Sequence, residues 1–124
     1  MSKLRSKTGC DWDKKQTYQS LLKSFFSEAN ELKAAIRKKD MENLKEEIGD
    51  ILLHIVFYAQ IAKEKGHFNI TGIIKNLNEK LVRRHPHIFG NYKVKNIKDI
   101  VKMWEEIKVA EKLKKKKKLL QIKR

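Results

Sequence analysis

The sequence predicts an all-α protein, and three observations carry that prediction. Apolar residues recur at spacings of three and four in separate stretches. Capping side chains stand before these stretches, and glycine, proline or basic residues close them. No segment alternates with the two-residue period of a strand, and there is no glycine-rich loop or internal repeat.

Residues 1–13 are polar and read as irregular, with Gly9 and Trp12 among them. From Ser20, a good N-cap, the apolar positions Leu21, Leu22, Phe25, Phe26, Ala29, Leu32, Ala35 and Ile36 predict a first helix. It ends at the basic run Arg37-Lys38-Lys39. Asp40 caps a second helix with an apolar stripe through Met41, Leu44, Ile48, Ile51, Leu52, Ile55, Val56, Ala59 and Ala62. Gly66, after Lys63 and Lys65, stops it. A third helix is expected from Asn69 or Thr71 and must end by Pro86, because the residue before proline disfavours helix. Residues 91–96 form a loop, and Asn96 caps a fourth helix carrying Ile97, Ile100, Val101, Trp104 and Ile107. The organisation is an irregular N-terminal segment (1–13), a helical domain (14–110) and a lysine-rich tail (111–124). A hairpin of this length leaves apolar faces to bury. The expectation is therefore a homodimer in which two hairpins pair into a four-helix-bundle core.

Composition narrows the function classes. A chain of 124 residues is one domain. Its single cysteine, Cys10, excludes an intramolecular disulfide framework and suits a reducing compartment. No apolar run is long enough to cross a bilayer, and the N-terminus lacks the apolar centre of a secretory signal. A cytoplasmic location with no membrane partner is the expectation. The net charge of +15 is uneven, with +8 over residues 1–110 and +7 over residues 111–124. The Lys114–Lys118 run could attract nucleic acid. Without interleaved aromatic residues, a solvated helix end is the favoured reading.

The acidic residues carry the chemistry. Glu28 and Glu31 lie three residues apart, as do Glu47 and Asp50, and residues so spaced share one side of a helix. Counted from the turn near Lys39-Asp40, both pairs fall about 14–15 Å along their helices, at roughly 1.5 Å per residue. In an antiparallel hairpin the four carboxylates meet at one height. Such a group repels itself unless a cation intervenes, and hard oxygen ligands suit Mg²⁺, Mn²⁺ or Ca²⁺. The bland alternative is two acidic pairs facing water. Both pairs border apolar stripes, and Gly49, costly within a helix, permits close approach of backbone or ligand.

Several motifs resemble the MazG family of all-α nucleoside triphosphate pyrophosphohydrolases. These are Glu28-x-x-Glu31, Glu47-x-x-Asp50 within Glu-Glu-Ile-Gly-Asp-Ile-Leu, the segment Cys10-Asp11-Trp12-Asp13-Lys14-Lys15-Gln16-Thr17, the block Asn78 to Phe89 and Trp104-x-x-x-Lys108. Together they span roughly residues 10–110 in order. The resemblance implies hydrolysis of a nucleoside triphosphate between the α- and β-phosphates. It implies that Glu28, Glu31, Glu47 and Asp50 hold Mg²⁺, with Mn²⁺ as the alternative, and act as catalytic ligands. It also implies that Lys80, Arg83 and Arg84 contact the phosphates and Trp104 the nucleotide. Read without the resemblance, the three cations suit a helix C-terminus and Trp104 suits a core. His85 and His87 suit packing, capping or phosphate contact. His54, four residues after Asp50, suits a hydrogen-bonded core position or a supporting role beside the metal.

The chain departs from the family pattern at Ser27, which stands where the first motif has a leading glutamate. Asp11 replaces a proline. Many members carry two tandem domains, and this chain resembles the first of them, so self-association is expected to complete the site. A second reading is a catalytically degenerate nucleotide- or partner-binding module. A third is nucleic-acid association through the tail.

Overall fold

A computed structural model describes the whole chain, Met1–Arg124, as six helices and no strand. It divides into two compact units, Met1–Ile74 and Lys75–Arg124.

The first unit holds α1 (Asp11–Lys15), α2 (Leu22–Lys38), α3 (Met41–Glu64) and the start of α4 (Ile70–Arg84). Helices α2 and α3 form the expected hairpin, and its turn is tight. Lys39 takes a left-handed conformation at φ 55°. The Lys39 and Asp40 N–H groups donate to Ile36 O (3.2 Å) and Ala35 O (3.3 Å), satisfying the carbonyls that end α2. Asp40 then caps α3 by accepting from the Asn43 N–H at 3.2 Å. At the far end Gly66, at φ 73°, lets the chain leave α3. Asn69 accepts from the Gly72 N–H at 2.9 Å and starts α4. Leu21, Phe57 and Ile61 are buried together, with Met1, Tyr18 and Tyr58 packed around them. Ala35 of α2 and Ala59 and Ala62 of α3 are also buried.

The N-terminal residues differ from the irregular segment expected. They form successive turns and then α1, which crosses the boundary placed at residue 13. Arg5 fastens them down: it donates to Asp13 O and Gln16 O, pairs with Glu64 at 2.8 Å and lies 5.6 Å from the centre of the Phe57 ring. Nor does Ser20 cap α2. Its N–H donates to Thr17 Oγ1 while its Oγ accepts from the Thr17 N–H, so the two residues close a turn and the helix begins at Leu22.

The second unit contains the rest of α4, α5 (Pro86–Phe89) and α6 (Ile97–Ile122). The one-turn α5, with proline in its first turn, was not expected. Asn96 caps α6 by accepting from the Asp99 N–H at 3.0 Å. Helix α6 continues through the lysine run without a break at residue 111. Lysine and leucine are good helix formers, which sustains the helix where core contacts run out.

Candidate functional site

Helix α2 contributes Glu28 and α3 contributes Glu47 and Asp50, and one carboxylate oxygen from each lies within 4.8 Å of the others. Glu28 and Asp50 are half-buried, and Glu47 is only 8% exposed. Glu31 is exposed and stands outside this group. The group joins one acid of the first pair to both acids of the second, because height along a helix does not fix direction around it. Three residues amount to about 300° of turn, so Glu31 lies roughly 60° around α2 from Glu28. Ser27, also on α2, is exposed.

The electrostatics of Glu47 are strained. Its pKa is pushed from 4.5 up to about 7, first by a hydrogen bond with Glu28, then by burial, then by the charges of Glu28, Asp50 and Glu31. Its Oε2 is buried without a hydrogen-bond partner. These are two charge states of one arrangement: a proton on Glu47 can be shared with Glu28, whereas two ionised carboxylates have no hydrogen between them. A divalent cation resolves the second state. Oxygens on opposite sides of Mg²⁺ stand roughly 4 Å apart, and around Ca²⁺ roughly 5 Å, so the observed grouping fits a single hard ion.

Beside the acids lies a cleft of about 190 Å³ whose lining includes Trp12, Asp13, Ser24, Glu28, Asp50 and His54. His54 is fully engaged: Nδ1 meets Asp50 O at 2.9 Å and Nε2 meets Ser24 Oγ at 3.0 Å. It braces α3 against α2 next to two of the acids. Sequence spacing singled out neither Ser24 nor the lining role of Trp12 and Asp13. Ser24 lies on α2, and Trp12 and Asp13 lie on α1, which is too short to carry a periodicity.

In the second unit, Arg83 and Arg84 share one acidic partner. Arg83 Nε lies 2.8 Å from Glu111 Oε1, and Arg84 Nη2 lies 3.0 Å from Glu111 Oε2. Arg84, then Arg83, hold the Glu111 carboxyl down at about 2. Lys80 is exposed. Trp104 is half-buried, donates its indole N–H to Arg84 O at 2.8 Å and meets the His85 ring edge to face. His85 Nδ1 hydrogen-bonds with Leu81 O at 2.6 Å.

An α-helical hairpin that brings carboxylates from both of its helices together defines a class, the all-α proteins with an inward carboxylate cluster. Comparison with known proteins narrows it. The model of the MazG nucleotide pyrophosphohydrolase domain matches residues 16–89. The chain belongs to that family. It is 52% identical over 116 residues to the nucleoside triphosphate pyrophosphohydrolase/pyrophosphatase MazG of Thermotoga maritima, covering 94% of this chain and 44% of that protein. It is 39% identical to the nucleoside triphosphate pyrophosphohydrolase of Escherichia coli K12, covering 93% of this chain and 44% of the relative. The chain thus spans less than half the length of these relatives. Among solved structures, a MazG-related protein from Thermotoga maritima superimposes with a TM-score of 0.69 at 32% identity, over 80% of this chain and 86% of that one. No helix is long and apolar enough to cross a membrane.

Proposed function

We propose that the chain is a Mg²⁺-dependent nucleoside triphosphate pyrophosphohydrolase that cleaves NTP or dNTP between the α- and β-phosphates, giving a monophosphate and pyrophosphate. The observation that carries this reading is the carboxylate group of Glu28, Glu47 and Asp50, with a buried Glu47 oxygen lacking any donor. The names of the relatives from Thermotoga maritima and Escherichia coli support the same chemistry. Glu28, Glu47 and Asp50 would hold the ion, and Glu31 completes the negative field around it. When bound, Mg²⁺ or Mn²⁺ supplies charge neutralisation at phosphate oxygens and lowers the pKa of a bound water. His54 keeps the Asp50 segment of α3 fixed relative to α2. Lys80, Arg83 and Arg84 compensate the triphosphate charge, the arginines by paired N–H contacts. Trp104, its indole N–H committed to Arg84 O, has only its ring face to offer a base.

A homodimer is part of the same proposal. Along α3, Ile48, Leu52 and Ile55 are exposed at helical spacing, and Phe26 and Leu22 are exposed on α2. Each is roughly half exposed, so covering it contributes on the order of 1 kcal/mol, and a second copy of the hairpin would cover them together. Light scattering should give twice the chain mass; a monomer at micromolar concentration would reject that part.

The activity test is a panel of nucleoside triphosphates assayed for pyrophosphate with Mg²⁺, Mn²⁺ or chelator. No product from any of them sinks the reading. Ser27, in place of an acid on α2, motivates the second reading, a degenerate nucleotide-binding module. Triphosphate binding by calorimetry without product would select it.

A further inference from the structure

A groove of about 380 Å³ runs along the second unit, lined by Lys80, Arg83 and Arg84 of α4 and by Lys114, Lys115 and Lys118 of α6. Glu111 is the only acid in its lining. The register of α6 explains how the lysine run contributes. At about 100° per residue, positions 111, 114, 115 and 118 share one face of the helix, while Lys116 and Lys117 turn elsewhere. A lysine run left to itself spreads its charges into water. Here three of its members converge with three cations of another helix on one trough, and a single carboxylate compensates them. Glu111 spends that carboxylate on Arg83 and Arg84, so the lysines have no acidic partner in the groove.

The trough is therefore built for an anion, and its chemistry narrows which one. No aromatic side chain lines it, so a nucleic acid would find no surface on which to stack its bases. Linked phosphates instead concentrate several charges in a short chain and accept both point-charge contacts from lysine and forked contacts from arginine.

We propose that Lys114, Lys115 and Lys118 of α6 extend the phosphate-contacting run of Lys80, Arg83 and Arg84, so that one groove takes the linked phosphates of a pyrophosphate or triphosphate group. In it Lys114, Lys115 and Lys118 are phosphate-contacting residues, and Glu111 is a built-in competitor that the phosphates must displace from Arg83 and Arg84. The inference deepens the hydrolase reading, since it shares Lys80, Arg83 and Arg84 with it. Its test is binding without turnover.

Calorimetry on the full chain without divalent metal, titrating inorganic tripolyphosphate, should show salt-sensitive binding. Replacing Lys114, Lys115 and Lys118 together by Gln, which keeps helix propensity, should weaken it at least about tenfold. Glu111→Gln should tighten it by about three- to tenfold, a gain that misfolding cannot produce. Unchanged binding in the triple variant, or weaker binding in Glu111→Gln, overturns the proposal. So does an aromatic-free anion preference failing outright, with a single-stranded oligonucleotide binding more tightly than tripolyphosphate. Pyrophosphate and a triphosphate with a non-hydrolysable α,β-bridge separate the two sources: equal affinity identifies the released product, and tighter analogue binding identifies the nucleotide. Both support the groove. A protein that binds tripolyphosphate yet releases no pyrophosphate from any nucleotide keeps the groove and loses the hydrolase.

Discussion

Glu47 and Glu111 are the same side chain in opposite predicaments. Glu47 on α3 sits among carboxylates, and its pKa rises to about 7. Glu111 on α6 sits between two guanidinium groups, and its pKa falls to about 2. Each unit holds a local cluster of one sign, the carboxylates of the hairpin in the first and the cations of the α4–α6 groove in the second. Neither cluster serves stability, because like charges brought together repel. Charge gathered at such a cost is what the two proposed sites call for, a cation at the hairpin and an anion in the groove.

The contrast breaks most visibly in a ligand-removing variant. Asp50→Asn and Glu47→Gln should each lower pyrophosphate release by more than about 100-fold, since even supporting residues around a metal cost 10–100-fold. Glu31→Gln should also reduce activity, by less if the exposed position of Glu31 persists in the loaded enzyme. Far-UV circular dichroism should stay helical throughout. Thermal unfolding without metal should move the other way, with Glu47→Gln more stable than wild type because it removes a buried like charge. A Glu47→Gln protein that keeps full rate, or that is less stable without metal, would show that the carboxylates are ordinary surface acids.

The pH dependence separates the two units by sign. The folded pKa of Glu47 lies above its unfolded value, so the metal-free native state binds the extra proton and loses stability as pH rises from about 4.5 through about 7. Divalent cation should abolish that loss. Glu111 has a folded pKa below its unfolded value. Its contribution is present above about pH 4.5 and disappears as pH falls through about 2. Chemical denaturation across this range, on wild type, Glu47→Gln and Glu111→Gln, should assign the neutral-pH slope to the first variant and the acid slope to the second. Reversal of either slope would overturn the corresponding charge assignment.

Much of this architecture was written in side chains that act locally. Asp40, Asn69 and Asn96 cap the helices they precede, and Gly66 releases α3 with a positive φ. What escaped the sequence depends on choices between local partners or on very short elements. Ser20 had the right chemistry for a cap, yet Thr17 claims it. Helix α1 is too short to show a period. The turn between α2 and α3 uses Lys39 in a conformation that usually announces itself through glycine. At the site, spacing and the apolar border point to the four acids, but spacing gives height along a helix and not direction around it, so it does not separate the grouped Glu28, Glu47 and Asp50 from exposed Glu31. Glu111 was invisible as a partner: it stood at the edge of a lysine run, and only the packing of α4 near α6 gives it two arginines.

Caps test whether the two units respond alike. Asp40→Ala and Asn96→Ala each remove one hydrogen bond to an otherwise unpaired helical N–H, and each should cost about 1 kcal/mol in chemical denaturation. Only Asp40→Ala should also reduce activity, because it loosens the turn from which both acid-bearing helices are measured. Equal activity losses would mean that the hairpin is not the element that sets the carboxylate geometry.

Gly49 gives the smallest and most discriminating perturbation. It lies inside α3 between Glu47 and Asp50, and a Cβ built there would meet nothing within 4 Å. Nothing within the chain therefore requires glycine, and alanine should stabilise the helix by about 1 kcal/mol. If a second copy or a bound nucleotide approaches α3 at this point, the added methyl group should weaken dimerisation or raise KM while the isolated chain becomes more stable. A variant that is more stable, fully dimeric and kinetically unchanged would leave Gly49 without a role and place the approach surface elsewhere on the hairpin.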